Sequence, residues 1–459
     1  MGKKKILYFM GHARCTREWG MLGEIIKTLQ DNSNNDVFYL DCDNAVSGYC
    51  WLTENYHLGY CSKCLNNCRK VLKHLKFPKE KCLKMRRYKV PKIPTFRTIQ
   101  EALDYEFDGY HIAFGAISCL MTALRDYSFD VFKYRTKLRK FIISEYTALK
   151  NIEELHKTYN FDEIHIFNGR FTLNHALVEF AQKHNISFLT YEFGSNIHKY
   201  RIDISNVLHD FYYTKQLIQK YWDNAPADKN KIAEKWFEDR RAGKYQAIES
   251  FTKNQIKNYL PSDFDLNKEN IVFFNSSTDE MAAFSSWKQP FFERDNQVIE
   301  AMLKYYENDT SKHFYLRVHP NLTKAKRNKT TQIKEINELK LKYKNLTVIE
   351  PDEKVDTYAL IDAASKVVTC TSTVGCEATY WGNISILAGK SLYEDDDCAY
   401  RANSFEELFL LIDNKNLMPK PKKNSYKFAY YNQTNGIEFK YLKLNTLKSG
   451  EILDLKLKG

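Results

Sequence analysis

Short β-branched and apolar runs alternate with longer amphipathic stretches along most of this chain. That alternation predicts strands feeding helices, the pattern of parallel, doubly wound α/β sheets. Residues 3–10 read as a strand, followed by a loop carrying Gly11, His12 and Arg14 and a helix to about Gln30. Residues 36–40 form a second strand, ending at Asp41-Cys42-Asp43. Segment 96–158 is largely helical. Strand 162–167 ends in Asn168-Gly169-Arg170, and strand 186–191 ends in Glu192-Phe193-Gly194-Ser195. The stretch 209–260 is helical and charged, and the polar run from Pro261 to Asn270 reads as a linker.

A second β/α series then begins. Strand 271–274 ends in Asn275-Ser276-Ser277, strand 313–318 runs into His319-Pro320-Asn321, and strand 346–350 ends at Glu350. Strand 366–370 leads through Thr371-Ser372-Thr373 into helix 374–381, and strand 384–387 follows. The expected boundaries are a first domain at 1–262 with a Cys-rich insertion at 42–95, and a second at 268–414. A basic tail, 415–459, is expected to pack back on the first domain.

In such sheets ligands collect at the carboxyl ends of the strands. In the second half those ends hold Ser276, Ser277, Arg317, His319, Glu350, Thr371, Ser372 and Thr373, with Glu377 one turn into the following helix. Hydroxyls, a guanidinium, an imidazole and a helix start together suit a phosphate ester on a nucleoside, with Glu377 placed for ribose hydroxyls. The plainer alternative is an ordinary capped helix after a buried strand. In the first half, His12, Arg14, Asn168 and Arg170 are candidate substrate contacts, or members of surface loops. Glu192 is a candidate base or nucleophile, or a salt-bridge partner of Arg170.

Eleven cysteines in 459 residues add a further possibility. Cys42, Cys50, Cys61 and Cys64, with His57 and Cys68 nearby, have spacing that fits a closed, structural zinc site. Unligated thiols are the bland reading and an iron–sulfur cluster a second metal reading. Glu394-Asp395-Asp396-Asp397 reads as a solvated acidic loop and not a divalent-metal site. The formal net charge is +12, with Lys and Arg clustered in 63–95 and 324–343. Such an excess suits an anionic partner or is simply a solvated basic face. With no apolar run long enough to span a membrane and no export signal at the start, a cytoplasmic protein is expected. Its positive first-domain edge suits peripheral contact with the inner membrane face.

The blocks FFNSSTDE (273–280), LRVHPN (316–321) and TSTVGCEATYWGN (371–383) resemble the C-terminal domain of bacterial capsule-polysaccharide glycosyltransferases, including the capsule-synthesis Kdo transferases. FNGR (167–170), YEFGS (191–195) and the Asp41–Cys64 pattern resemble the N-terminal half of related surface-polysaccharide transferases. The resemblance implies a GT-B fold, two Rossmann-like doubly wound domains facing across a cleft. It implies a nucleotide sugar (CMP-, UDP- or GDP-linked) on the second domain and a glycan or lipid-linked glycan acceptor on the first. Arg317 and His319 then contact the donor phosphate, Ser372 and Thr373 cap it, and Glu377 takes ribose hydroxyls. Glu192 stands nearest to the family's acidic-Gly carboxylate, although the family's Glu-Asp-Gly-Phe is Glu-Phe-Gly-Ser here. Fixed charge and dipole at the phosphate call for no catalytic metal.

The expected activity is therefore sugar transfer to a growing capsule or lipopolysaccharide chain. The rivals are a GT-B-like sugar-nucleotide epimerase and a zinc-containing nucleic-acid-binding protein. Against the last, the Lys-rich segments are not interleaved with a stacking face and no nucleic-acid module is recognisable. The sugar, linkage, anomeric outcome and oligomeric state are not written in the residues.

Overall fold

The runs that read as strands are strands in the structure, a computed structural model that describes residues 2–55, 59–244, 252, 254–324 and 330–458. In the first half these are β1 (Lys4–Phe9), β2 (Asn35–Asp41), β3 (Cys82–Lys84), β4 (Glu163–Phe167), β5 (Ser187–Phe193) and β6 (Lys199–Ile204). The second half holds β7 (Glu269–Phe274), β8 (Lys312–Arg317), β9 (Leu346–Ile349), β10 (Lys366–Thr369), β11 (Ser385–Leu387) and β12 (Tyr400–Arg401). The tail adds β13 (Ile437–Glu438), β14 (Leu442–Thr446), β15 (Ser449–Ile452) and β16 (Leu455–Lys458).

The chain divides into two units. The first comprises the residues up to Ala123, Asp130–Leu208 and the chain from Asn435 onward, and the second Leu124–Phe129 and His209–Thr434. The change at 208/209 precedes the Pro261 linker expected from the residues. The reason is hydrophobic. Helices Phe211–Asp223 and Lys229–Arg241 bury Ile218, Trp236 and Phe237 against Tyr380, Phe428 and Tyr430 of the second unit.

The first unit's sheet has the order β13-β6-β5-β4-β1-β2-β3. It is parallel from β3 to β5 and antiparallel where β6 meets β5 and β13. β3 and β6 were not foreseen. One is three residues long amid basic residues, and the other lies in a polar, weakly alternating run.

Helix Thr16–Asp31 packs Trp19, Leu22, Ile25 and Ile26 on this sheet, and the terminal β14–β16 sheet packs Leu442, Leu444 and Ile452 into the same core. Each such buried side chain contributes about 1.5–3 kcal/mol. The approach is close: a Cβ at Gly20 would stand 2.4 Å from Leu442 and one at Gly23 2.4 Å from Ile452. Glu24, on the same helix, accepts backbone N–H bonds from Lys440 (2.8 Å), Tyr441 (2.8 Å) and Leu442 (2.9 Å). The tail beyond 434 is thus held by the Glu24 carboxylate, an apolar seam, the pairing of β13 with β6, and Asp31, which accepts from Lys440 and Tyr441.

The second unit's sheet is wholly parallel in the order β12-β11-β10-β7-β8-β9. Phe273, Phe314 and Leu316 face helix Asp295–Tyr305, with its Val298, Ile299, Met302 and Leu303. Val272, Tyr315 and Val367 face Tyr358, Leu360 and Ile361 on the opposite side. Helices cover both faces, as a fully parallel sheet requires.

Two charged features correct the reading from residues. Glu394 and Asp396 are buried, not solvated. Lys215 bonds Glu394 at 2.9 Å and Lys427 bonds Asp396 at 2.6 Å, with Lys420 on Asp397 at 2.8 Å. Lysines distant in sequence close around the acidic run, which its local composition does not reveal. Burial pushes the Asp396 carboxyl up to about 6, against the pull of Lys427.

The cysteines are the second correction. Cys61 and Cys64 lie in helix Gly59–His74 and not in a knuckle. Cys61 Sγ bonds Asn44 Oδ1 at 3.1 Å, and Cys64 Sγ accepts the Ala13 N–H at 3.2 Å. Cys42 and Cys50 are free thiols, both pushed up in pKa by burial and then by neighbouring thiols. Among the described residues no group of three or more His, Cys, Asp or Glu side chains is placed to hold a metal ion, so the zinc reading of these four cysteines is not supported. His57 and residues 325–329 of the second basic cluster lie outside the described residues. Among the described residues, no helix is long and apolar enough to cross a membrane.

Replacing Glu24 with alanine leaves three amides of the tail without their acceptor. Urea unfolding is expected to show a loss of about 2–4 kcal/mol, and limited proteolysis a new accessible site after residue 434.

Candidate active site

Both parallel sheets reverse their strand order once, between the first strand and the fourth. In the second unit that point lies between β7 and β10, and in the first between β1 and β4. There the loops leaving the two strands part in opposite directions and open a crevice at the carboxyl edge.

In the second unit the register sets this edge. Leu387, Thr369, Phe274, Arg317 and Ile349 lie side by side on five adjacent strands. The next residues along these strands include Cys370, Asn275, Val318 and Glu350. The expected gathering of Ser276, Ser277, Arg317, His319, Glu350 and Thr371–Thr373 on one sheet edge therefore holds at the level of strand ends.

The side chains divide into two groups. Several are already committed. Arg317, 4% exposed, donates from Nη1 to the Glu350 carbonyl at 2.8 Å and from Nη2 to the Glu353 carbonyl at 3.2 Å. Burial lowers its pKa, with Glu353 and Asp352 working the other way. It fastens the loop after β9. Glu350 reaches outward to Lys340 at 3.2 Å.

Ser372 Oγ accepts the Val374 N–H at 3.3 Å, and Thr373 Oγ1 donates to Glu377 at 3.3 Å. These two hydroxyls are turned to their own seven-residue helix, Val374–Tyr380. Glu377 is 2% exposed, with Arg240 Nη2 at 2.9 Å on one oxygen and the Tyr358 hydroxyl at 2.7 Å on the other. Both carboxylate oxygens are engaged within the protein, in place of the ribose expected there.

The second group is open. Asn275 Nδ2, Ser276 Oγ and Thr371 Oγ1 are buried and have no hydrogen-bond partner among the described residues. They flank the β7/β10 crevice. Asn275 Oδ1 accepts the His319 N–H at 2.7 Å, which joins the loops after β7 and β8. His319 Nδ1 accepts the Asn321 N–H at 3.2 Å, so a neutral ring carries its proton on Nε2. Ser277 Oγ donates to Asp279, and Gln332 Nε2 donates to the Ser276 carbonyl at 3.2 Å.

The opposite, amino edge of the same sheet is closed. Lys366 bonds Glu269 at 2.7 Å, and Lys312 lies 2.9 Å from Asp309 and 3.3 Å from Asp413. Buried polar groups are nearly always paired. Single unpaired atoms also occur at the amino edge, at Asn270 Oδ1 and Ser385 Oγ, but Asn275, Ser276 and Thr371 lie together at the strand-order reversal, where ligands collect.

The first unit's crevice is built differently. Gly11 N–H donates to Asn174 Oδ1 at 2.9 Å, and a Cβ at Gly11 would fall 2.4 Å from that oxygen, so only glycine fits. His12 is 5% exposed, enclosed by the rings of Trp51, Phe167 and Phe171. Burial, then Arg14 and Arg170, lower its pKa to about 3, so it sits there as a neutral ring. Arg14 is exposed, and its backbone N–H donates to Glu18.

Asn168 (φ 62°) and Gly169 (φ 75°) both take left-handed backbone, turning the chain sharply after β4. Asn168 Nδ2 donates to Glu192 Oε2 at 2.5 Å, and the Phe193 N–H donates to Glu192 Oε1 at 2.9 Å. Arg170 Nη1 donates to Ser118 Oγ at 3.2 Å and Thr122 Oγ1 at 3.0 Å. Burial lowers Arg17 to about 10, with Glu192 the leading opposing charge. The Asn168–Glu192 pairing is the contact on this edge that the weighing of Glu192 against Arg170 did not include.

Asp295 is the residue that reading the chain missed. It opens helix Asp295–Tyr305, and nothing in its local sequence distinguishes it from any first-turn acid. It is 4% exposed and its Oδ2 accepts the Ser276 N–H at 3.3 Å, directly under the open hydroxyl. Burial raises its pKa to about 7, and the Ser276 bond offsets only part of this.

No protein-family model matches the chain, and no curated protein matches it. Solved structures do. Two Kdo transferase structures of Thermosulfurimonas dismutans KpsC, a 2,4 and a 2,7 transferase, are each 15% identical to the chain. They cover 64% and 61% of it and 87% and 80% of their own length, at TM-scores of 0.39 and 0.38. A UDP-GlcNAc 2-epimerase of Methanocaldococcus jannaschii, in complex with UDP-GlcNAc and UDP, is 12% identical. It covers 92% of this chain and 98% of its own, at a TM-score of 0.30. Likenesses at these values do not choose between transferase and epimerase.

A pKa of about 7 in the folded chain, against 3.8 in the unfolded one, means the folded state holds the Asp295 proton more tightly. Its contribution to stability is complete below pH 4, falls as pH rises to 7, and is absent above. Melting curves of wild type and Asp295→Asn are expected to diverge across that window. The variant gains relative to wild type as pH rises, and the difference is constant above pH 8.

Proposed function

We propose that the chain is a GT-B glycosyltransferase that moves a sugar from a nucleotide-activated donor to a growing capsule or lipopolysaccharide chain or its lipid-linked precursor. The observation that carries this reading is the set of unpaired, buried Asn275, Ser276 and Thr371 side chains at the β7/β10 crevice, with His319 joined to Asn275. Neutral donors around a crevice suit a nucleoside phosphate group, and burial keeps the nearby Asp295 carboxyl largely protonated below about pH 7. As the sugar–phosphate bond breaks, negative charge grows on the departing phosphate oxygen. Donors already aimed at that place stabilise it without rearranging.

In this reading Ser276, Thr371 and His319 hold the donor phosphate, and Ser277, whose hydroxyl donates to Asp279, steadies the loop that carries Ser276. Arg317, Ser372, Thr373 and Glu377 keep the surrounding loops and helix in place, and Glu350 offers its carbonyl to Arg317. On the first unit, Asn168, Arg170 and Arg14 line the acceptor side and His12 is its apolar wall. Glu192, held by Asn168, is the base for the acceptor hydroxyl. The chemistry asked of these residues needs no metal. Net positive charge favours an anionic glycan or lipid-linked acceptor at the inner membrane face. A sugar-nucleotide epimerase uses the same phosphate crevice and is separated from a transferase by its independence of any acceptor.

Addition of CMP, UDP, GDP or ADP to the purified protein is expected to raise Tm for one of the four. Asn275→Ala and Ser276→Ala together should abolish that rise while leaving the ligand-free Tm within a few degrees. No Tm response to any of the four removes the donor assignment. Conversion of the nucleotide sugar with no acceptor present moves the assignment to an epimerase.

A further inference from the structure

Six residues, Leu124–Phe129, leave the first unit and belong to the second, and both ends of this segment return to the first. Its first two charged side chains grip the Ser276–Glu280 loop from two sides. Arg125 donates from Nη1 to Asp279 Oδ2 at 2.9 Å and reaches Glu280 Oε1 at 3.3 Å. Asp279, 2% exposed, in turn accepts from the Ser277 hydroxyl. Asp126 Oδ2 accepts from Thr331 twice, from the N–H at 2.9 Å and from the hydroxyl at 3.0 Å. The next residue, Gln332, donates to the Ser276 carbonyl. The loop is therefore tied at Ser277 through Arg125 and at Ser276 through Asp126.

Arg125 holds this place with φ 53°, in the left-handed region that residues with a Cβ seldom adopt. Such a conformation persists when the surrounding contacts over-determine it. Burial works against its charge, and Asp279 and Glu280 together outweigh the burial, so its pKa rises. A cation so placed is not available to bind a ligand directly.

We propose that Arg125 and Asp126 are positioning residues for the donor phosphate, fixing the Ser276–Glu280 loop so that the Ser276 hydroxyl stands where a nucleotide meets it. This rests on the donor assignment above. The brace acts through Asp279 and Thr331 and touches no substrate itself. Removing Arg125 leaves Asp279 buried without its cation and frees the Ser277 hydroxyl to turn away.

Hydrogen exchange on the ligand-free full-length protein tests the brace, and nucleotide calorimetry tests its purpose. In Arg125→Ala, the amides of residues 277–280 should exchange about tenfold faster, with the β7 and β8 amides unchanged. The Kd for whichever of CMP, UDP, GDP or ADP binds wild type should rise about tenfold or more. Arg125→Lys, which keeps one ion pair, should recover part of both effects, and Asp279→Asn should reproduce them if Arg125→Ala does not fold. Unchanged exchange at 277–280 overturns the brace. Faster exchange with unchanged nucleotide affinity overturns its role toward the donor. If wild type binds none of the four nucleotides, the donor reading fails and takes this role with it, while the exchange experiment still reports whether the brace exists.

Discussion

Parallel pairing is the constraint from which the rest of this structure follows. A strand that pairs in parallel with its neighbours must release its carboxyl end on the same edge as theirs. When the order of strands reverses once, the loops on either side of the reversal cannot close over each other. In the second unit this brings Asn275, Ser276 and Thr371 to one place although 96 positions separate Asn275 and Thr371 in the chain. Local preference does not do this. The register Thr369–Phe274–Arg317 does, and it is held by Phe273, Phe314 and Leu316, which a one-residue slip would drive into the differently shaped core on the other face.

The two edges of that sheet show how the protein distributes charge. At the amino edge Lys312, Lys366 and Glu269 satisfy one another, and such a buried network stabilises only when complete. At the carboxyl edge the strong ions have been turned away from the crevice. Arg317 ties down carbonyls, Arg240 and Tyr358 take up Glu377, and what remains among the described residues is hydroxyl, amide and imidazole, with the buried Asp295 carboxyl behind Ser276. A crevice lined by fixed cations would hold phosphate tightly before and after reaction alike. Neutral donors in fixed positions favour the charge that appears as the bond breaks more than the charge already present, which is the difference that accelerates a step.

Strand ends were legible in the chain because β-branched runs are local signals. IVFF, LRV and KVVT each announce a strand, and the polar residues after them sit at its carboxyl end whatever the rest of the fold does. Directions of side chains were not legible. Glu377 looked free because its partners, Arg240 and Tyr358, lie 137 and 19 positions away, and nothing in VGCEATY points to them. Glu394 and Asp396 looked solvated for the same reason, with Lys215 and Lys427 far off in sequence, while Asp395 and Asp397 are exposed as expected. The cysteine spacing suggested a metal knuckle because CxxC is read as a loop signal. Here Leu65, Cys68, Val71 and Leu72 supply a buried helical face, which carries Cys61 and Cys64 into helix Gly59–His74. Periodicity outweighed the motif.

What favours two ligands over one is the unlike chemistry of the two crevices. The second unit's edge offers hydrogen-bond donors among its described residues, with the Asp295 carboxyl held toward its protonated form by burial, which suits a group that is already negative. The first unit's edge offers Glu192, whose two oxygens accept from Asn168 and the Phe193 amide. Two donors on one carboxylate fix its direction and still leave lone pairs to accept a hydroxyl proton. A nucleotide alone has no use for that carboxylate, since phosphate and carboxylate repel. An acceptor hydroxyl does, because its oxygen must lose a proton as it attacks. Enclosing His12 as a neutral ring and committing Arg170 to Ser118 and Thr122 keep strong cations from competing for Glu192, and leave Arg17 to balance its charge. Reading the protein as a transferase gives each crevice a ligand whose charge it matches. An epimerase would turn the same carboxylate to moving a proton on the sugar, so the need for an acceptor hydroxyl is what separates the two readings.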